Sequence, residues 1–216
     1  ESARPELGHE EGYSDVDIVV TTRELAQMIH EISIDFDNLE DGEFDHPFGE
    51  SSGAGQIFGS SGGVIEAALR TAYEWLTGEE LDKLDFTALR GLDGAKEATV
   101  EINGAPFRIG VVSGLGNANT LLRQIRDGEE HYDAIEIMAC PGGCIAGGGQ
   151  PYHHNDPEIL QARMKTIYDI DKDKIVRQSH KNPDIIKLYD EFLGEPFYSE
   201  KAHELLHTHY VKRTKM

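Results

Sequence analysis

The chain has 216 residues, of which 38% are hydrophobic and 28% charged, a composition typical of a globular protein with a packed core. No run of 18 apolar residues occurs, so the sequence predicts no membrane span. The 40 acidic and 20 basic residues give a net charge of −20, which argues against nucleic acid or an anionic membrane as the main partner.

The first predicted elements are a strand and a helix. Residues 16–20, VDIVV, have the composition of a short strand. Thr21 and Glu24 have the spacing of a capping box and precede LAQMIHEI, so we expect a helix up to about residue 32. Residues 35–62 are first acidic and then rich in glycine and serine, which is typical of a loop.

The middle of the chain is predicted to alternate helices with strands. The segment GGVIEAALRTAYEWLTG has apolar residues at helical spacing and ends at Gly78, which predicts a helix. TVEINGAPFRIGVVSG predicts a hairpin that turns at Asn103-Gly104. NANTLLRQIRDG predicts a short helix, and DAIEIMAC predicts a buried strand. This alternation indicates an α/β layer.

The character of the sequence changes beyond Tyr152. Short helical segments follow, with many His and Tyr residues and with prolines at positions 157, 183 and 196. We therefore predict one domain over residues 1–152 and a helical segment over residues 153–216. The acidic, polar N-terminus does not resemble a secretory signal, and because it does not begin with Met we expect a longer natural chain.

The only two cysteines, Cys140 and Cys144, lie in MACPGGCIAGGGQP, directly after the last predicted strand. Thiolates bind soft metal centres, and cysteine holds iron–sulfur clusters. Loops at the ends of parallel strands carry the sites of α/β folds, and glycine lets the backbone approach a bulky cluster. The pair alone leaves two alternatives open, metal ligands or ordinary buried thiols.

Other known motifs fit the chain less well. Radical enzymes that use S-adenosylmethionine need a third cysteine where Gly147 stands, and zinc needs ligands at spacings that the chain lacks. Residues 203–207, HELLH, match the zinc-protease helix, but Tyr210 and Arg213 break the longer metzincin pattern. Residues 53–59 miss the dinucleotide fingerprint by one position, and no predicted strand precedes them.

MACPGGCIAGGGQP resembles the last cysteine motif of the FeFe-hydrogenases, the iron-only hydrogenase large subunits. Further phrases resemble segments of that family in the same order: ARPEL…DVDIVVTTRELAQMI, SGAGQIFGSSGGVIEAALRTAYE, RGLDGAKEATVEING and VRQSHKNPDIIKLYDEFLGEP…KAHELLHTHY. The last phrase resembles the small subunit of the family, here fused to the end. The resemblance implies one lobe of the H-cluster domain, with a small, mostly parallel sheet flanked by helices, and a short helical tail.

The resemblance also implies a cofactor, the H-cluster. This is a 4Fe-4S cubane joined to a two-iron subcluster that carries CO, cyanide and a dithiolate bridge. Cys140 matches a cubane ligand, and Cys144 matches the ligand that also bridges to the two-iron unit. Met138 matches a methionine that lines the two-iron site. Residues that match its wall or lie close by are Phe58, Gly59, Gly62, Gly63 and Val64.

The other two cubane cysteines are expected upstream of this chain. The nearer one would belong to a Pro-Cys-Thr-x-Lys-Lys-Phe-Glu phrase whose last residue is Glu1. The chain would then be the C-terminal half of a catalytic domain and would bind a cubane poorly or not at all alone. Ala146 departs from the family pattern, since many members carry Asn there, at a position that varies within the family.

The implied activity is reversible H₂ oxidation and proton reduction, with ferredoxin or another electron carrier as partner. An NADH-linked bifurcating complex stays open. One alternative is an iron–sulfur assembly protein of the Nar1 type, which shares a similar last motif but carries no two-iron unit. Another is a sensory hydrogenase, which would continue into a signalling domain. We expect a cytoplasmic location, because periplasmic relatives often carry the small subunit as a separate chain, whereas here it is fused. A periplasmic location is the alternative.

Overall fold

The computed structural model describes residues 15–46, 48–81, 83–194, 199–207 and 212. The chain divides into two compact units, one of residues 1–42 with 183–216 and one of residues 43–182. The regular elements of the described part are the helices α1 (Thr22–Glu31), α2 (Gly53–Gln56), α3 (Gly63–Thr77), α4 (Leu115–Arg126), α5 (Pro157–Asp173), α6 (Pro183–Leu188) and α7 (Glu200–Leu206), and the strands β1 (Ala95–Ile102), β2 (Ala105–Ser113) and β3 (Ala134–Met138).

The strands of the described residues form one sheet in the order β1-β2-β3. β1 and β2 are an antiparallel hairpin, and the turn residues Asn103 and Gly104 both have positive φ, as a two-residue hairpin turn requires. β3 runs parallel to β2, with Ser113 opposite Met138. The α/β class predicted from the sequence is therefore confirmed. The sheet of the described residues is mixed rather than mostly parallel, because the β1-β2 hairpin is antiparallel and only β3 pairs in parallel.

The N-terminal prediction is correct for the helix and wrong for the strand. Thr21 accepts a hydrogen bond from Glu24 N at 3.2 Å and donates its own backbone N–H to the Glu24 carboxylate at 2.7 Å, which is a capping box. Residues 16–20 form no strand, and Ile18 is 78% exposed. A β-rich run becomes a strand only when a neighbouring strand accepts its backbone hydrogen bonds.

The unit of residues 43–182 is built around α3 and the sheet. Leu69 of α3 packs with Leu89, Ile109 and Val111 in a buried cluster. α3 ends at Gly78, which has the left-handed conformation predicted for a C-terminal glycine, with φ of 71°. The predicted buried strand β3 is only partly covered, because it lies at an edge of the sheet.

Within this unit α3 is joined to α5 by a buried cation. The Arg70 side chain is fully buried and donates to both carboxylate oxygens of Asp171, at 2.7 and 2.9 Å. It also donates to Glu66, one turn earlier on α3, at 2.9 Å. Arg90 binds Glu66 and Arg177 binds Asp171, so each buried carboxylate meets two guanidinium groups. This pairing compensates the cost of removing the charges from water.

None of the helices in the described ranges is both long and apolar enough to cross a membrane. The domain boundary near residue 152 stays a prediction.

Replacing Arg70 should destabilise the chain strongly. Arg70→Met keeps apolar volume but leaves the buried Glu66 and Asp171 with less compensation, which typically costs about 3–5 kcal/mol of unfolding free energy. Lys165→Ala is the control, because its ion pair with Asp169 is 74% and 53% exposed and such pairs contribute about 0–1 kcal/mol. Urea unfolding measures both, and equal losses would contradict the interpretation.

Stability should also depend on Glu74 at acid pH. Burial opposes ionisation of Glu74, but hydrogen bonds from Gln178, His180 and Leu81 N outweigh it and lower the pKa from 4.5 to about 2. Because the folded pKa lies below the unfolded one, this stabilisation is complete above pH 4.5 and is lost as the pH falls towards 2. Glu74→Gln should flatten the decline of the urea midpoint across that window. Glu79→Gln, at an exposed neighbouring position, is the matched control.

Candidate metal centre

The two cysteines lie in a tight turn directly after β3. Gly143 N donates to Cys140 O at 3.0 Å, and Gly147 N donates to Cys144 O at 3.0 Å. Gly142 and Gly143 have φ of 81° and 92°, a region that strongly favours glycine. Cys140 is half-buried and Cys144 is exposed. The turn therefore presents at least the second thiol at the surface of the unit.

A second segment, residues 58–62, forms a wall beside this turn. Ser61 N donates to Gly142 O at 3.1 Å. A Cβ added at Gly143 would lie 2.6 Å from Ser61 N, 2.9 Å from Gly59 O and 3.0 Å from Met138 Sδ. The structure thus brings Gly59 and Met138, both predicted from the sequence, into direct proximity to the cysteine turn. The thioether and the backbone of both segments meet at a glycine that leaves no room for a side chain.

The remaining predicted residues occupy different positions. Phe58 is 46% exposed, next to Gly59 in a 3-10 turn. A Cβ on Gly62 would lie 2.0 Å from Leu89 O, and one on Gly63 would lie 1.7 Å from Ile57 O. Close packing at the start of α3 therefore explains why both positions hold glycine. Val64, in the first turn of α3, is half-buried.

Two basic residues missed by the sequence analysis support the turn and the wall. Arg163 of α5 donates to Ile145 O at 2.8 Å and to Pro151 O at 2.7 Å, which joins the cysteine loop to that helix. Lys96 Nζ donates to Ser61 O at 2.9 Å, behind the wall. Burial lowers the pKa of Lys96, against the opposing charges of Glu136 and Asp93. Neither basic residue carries a recognisable sequence signal, since each reaches the site across the fold.

Glu136 was also missed, although the sequence contained a signal for it. It is the charged residue in the strand AIEIM, and it is 8% exposed. Its carboxylate accepts hydrogen bonds from Gly62 N at 2.5 Å and from Ile65 N at 2.9 Å, at the start of α3. A charged residue inside an apolar strand that leads into a cysteine motif is a detectable anomaly.

The arrangement fits one side of an iron–sulfur site. Two thiols, a thioether and a glycine turn suit a soft metal centre with a large inorganic core. Among the described residues, no group of three or more His, Cys, Asp or Glu side chains could hold a metal ion, so further ligands would have to come from elsewhere. The HELLH segment brings the rings of His203 and His207 to 4.7 Å between centroids, without a third ligand in the described part of the chain.

Comparison with known proteins decides the family. The family described as iron only hydrogenase large subunit, C-terminal domain, matches residues 1–148, more than half of the chain. The chain belongs to the iron-only hydrogenase family. The family described as iron hydrogenase small subunit matches residues 157–213. The turn of Cys140 and Cys144 lies within the part of the chain that matches the large subunit, and the tail is small-subunit-like.

Hydrogenase relatives extend well beyond this chain. It is 56% identical over 216 residues to the NADP-reducing hydrogenase subunit HndD of Solidesulfovibrio fructosivorans, covering 100% of this chain and 36% of that protein. It is 42% identical to iron hydrogenase 1 of Clostridium pasteurianum, covering 98% of this chain and 37% of that one. A variant of the FeFe-hydrogenase HydA1 from Chlamydomonas reinhardtii has a TM-score of 0.74 at 40% identity, over 97% of this chain and 61% of that chain. The chain thus spans little more than a third of these curated relatives.

Iron–sulfur assembly proteins are similar as well. The chain is 31% identical over 218 residues to cytosolic iron-sulfur assembly component 3 of Mus musculus, which covers 97% of this chain and 44% of that protein. It is 30% identical over 228 residues to protein NAR1 of Arabidopsis thaliana, which covers 97% of this chain and 47% of that protein. This identity is lower than that to either named hydrogenase. Family membership therefore implies an iron–sulfur protein of hydrogenase type, and the assembly proteins remain a second group to distinguish.

Gly143→Ala should disrupt the junction of turn and wall. The added methyl group would overlap Ser61 N and Gly59 O, and the residue would keep a φ of 92°. The overlap and the backbone strain together should lower the unfolding free energy by about 1–3 kcal/mol. Gly148→Ala, in the same loop, meets nothing within 4 Å and should be nearly neutral. Urea unfolding compares the two variants. A Gly143→Ala variant as stable as Gly148→Ala would show that the junction tolerates a side chain.

Proposed function

We propose that this chain forms one side of the H-cluster site of an FeFe-hydrogenase that catalyses reversible oxidation of H₂ to protons and electrons. The observation that carries the proposal is the convergence of Gly59, Met138 and the cysteine turn. The chain's membership of the iron-only hydrogenase family supports the same reading.

The roles proposed for the residues follow from their chemistry and position. Cys140 and Cys144 would ligate the 4Fe-4S cubane, and Cys144 would also bridge to the two-iron subcluster. When bound, the cofactor supplies the redox chemistry of H₂. Phe58 and Met138 offer apolar, polarizable surface that would exclude water beside the cluster. The glycines of the turn let the backbone approach a large inorganic group closely.

The chain would supply only part of the ligand set. A 4Fe-4S cluster needs four thiolates, and the chain contains two cysteines. We therefore propose that the other two come from the part of the protein that corresponds to the remainder of its longer relatives. Alone, the chain should bind the cubane weakly, because half of the metal–thiolate bonds would be missing.

Ferredoxin is the electron carrier that we propose, with a nicotinamide nucleotide as the competing one. The name of the 56% identical relative describes an NADP-reducing hydrogenase subunit, which supports testing NADPH beside ferredoxin. A cytoplasmic location belongs to the same proposal. Its support is that a periplasmic large subunit, from Nitratidesulfovibrio vulgaris, matches a smaller part of this chain than the two relatives named above. The match to the periplasmic protein covers 77% of the chain, and the other two matches cover 98–100%.

A protein of the Nar1 type is the second candidate, and its support is the 30% identity over nearly the whole chain. It would bind iron–sulfur clusters without a two-iron unit and would have no H₂ chemistry. The higher identity to the hydrogenases favours the first candidate.

Infrared spectroscopy of the full-length protein, purified without oxygen, separates the two functions. A hydrogenase should show the stretching bands of metal-bound CO and cyanide and should reduce a dye with H₂. Cys144→Ala should abolish both signals, because the proposed bridging ligand is removed. Gly148→Ala in the same loop should retain them. An intact iron–sulfur protein without CO and cyanide bands would overturn the hydrogenase assignment and support the assembly function.

A further inference from the structure

Glu136 is a buried carboxylate with an unusual set of partners. It lies in the middle of β3, yet both of its oxygens accept hydrogen bonds from backbone N–H groups at the start of α3. The donors are Gly62, just before the helix, at 2.5 Å and Ile65 in its first turn at 2.9 Å. A buried charge needs such compensation, and the positive end of a helix dipole provides it. The contact joins two segments that are 71 to 74 residues apart in the sequence.

The carboxylate replaces a cap that α3 cannot make itself. Gly62 is the N-cap residue, and it has no side chain to accept the free N–H groups of the first turn. A side chain there is excluded, because φ is 95° and a Cβ would lie 2.0 Å from Leu89 O. Glu136 therefore performs from a neighbouring strand the role that Ser or Asp performs in an ordinary helix.

The contact between Glu136 and the start of α3 is adjacent to both sides of the candidate site, the cysteine turn and the wall. Glu136 is two residues before Met138 on β3, and the strand leads directly into the cysteine turn. Gly62 ends the wall that begins at Phe58, and Ser61 of that wall binds Gly142 O at 3.1 Å. Lys96 Nζ binds Ser61 O from behind, at 2.9 Å. The carboxylate thus connects the wall to the strand that carries the turn.

We propose that Glu136 is a positioning residue of the site, whose carboxylate holds the wall of residues 58–62 in register with Met138 and the cysteine turn. The inference rests on the proposed function for the identity of the group that the site holds. Removing the carboxylate should let the wall move relative to the cysteine turn. The surroundings of the two cysteines would then vary from molecule to molecule.

The test compares Glu136→Ala, Glu136→Gln and a matched control in the cofactor-loaded full-length protein. Gly78→Ala is the control, because it strains the other end of α3, where φ is 71° and an added Cβ meets nothing within 4 Å. Glu136→Ala should broaden or shift the CO and cyanide bands and lower H₂ turnover by about 10–100-fold at equal iron content, as the loss of an outer-shell support does. Glu136→Gln keeps one acceptor oxygen and should lie in between. Gly78→Ala should keep wild-type bands.

A second readout is independent of the cofactor. In the full-length protein without its cofactor, the half-buried Cys140 should react faster with a thiol reagent in Glu136→Ala than in the wild type or in Gly78→Ala, as measured by mass spectrometry of the labelled peptide. Wild-type protein without CO and cyanide bands would refute the proposed function and leave this readout intact. Unchanged bands and an unchanged labelling rate in Glu136→Ala would overturn the positioning role.

Discussion

The unit of residues 43–182 depends on the burial of one guanidinium group. Arg70 is fully buried, and its hydrogen bonds reach Glu66 on its own helix and Asp171 on α5. Since an unpaired buried charge is strongly destabilising, any placement of the two helices that separates Arg70 from Asp171 is disfavoured. Gly53 shows how tight the placement is, because a Cβ there would lie 2.2 Å from Asp171 Oδ1.

The candidate site follows from that placement. α3 begins at the wall of residues 58–62, and α5 holds the cysteine loop through Arg163. α3 and α5, the helices that Arg70 connects, are therefore each attached to one side of the site. Gly143 lies where the two sides of the site meet. Any side chain at this position would overlap atoms of both sides. The exposed residues of the site, Cys144 and Phe58, thus rest on the packed helices, and the cysteines lie in a turn whose glycines adopt positive φ.

This construction accords with a role as one side of a larger cluster site. Cys144 and Phe58 are exposed in the described structure, and a 4Fe-4S cluster needs more thiolates than the chain contains. The chain is 56% identical to a hydrogenase subunit and 31% identical to a cytosolic iron–sulfur assembly component.

The sequence by itself determined the local structure and the family. The capping box at Thr21, the turn at Asn103-Gly104 and the stop at Gly78 each depend on a few neighbouring residues, and all three appear as predicted. The cysteine motif could also be recognised from the sequence, because its residues are consecutive. The run at residues 16–20 misled because strand formation requires a distant partner, which composition does not report.

Only the tertiary structure decided which distant residues support the site. Glu136, Lys96 and Arg163 reach the wall and the loop from β3, β1 and α5, over separations of 12 to 74 residues. A single sequence carries no record of such contacts, because the hydrogen bonds form between side chains and remote backbone groups. The anomaly of a glutamate in an apolar strand marked a position of interest, but the helix that it caps became visible only in the fold.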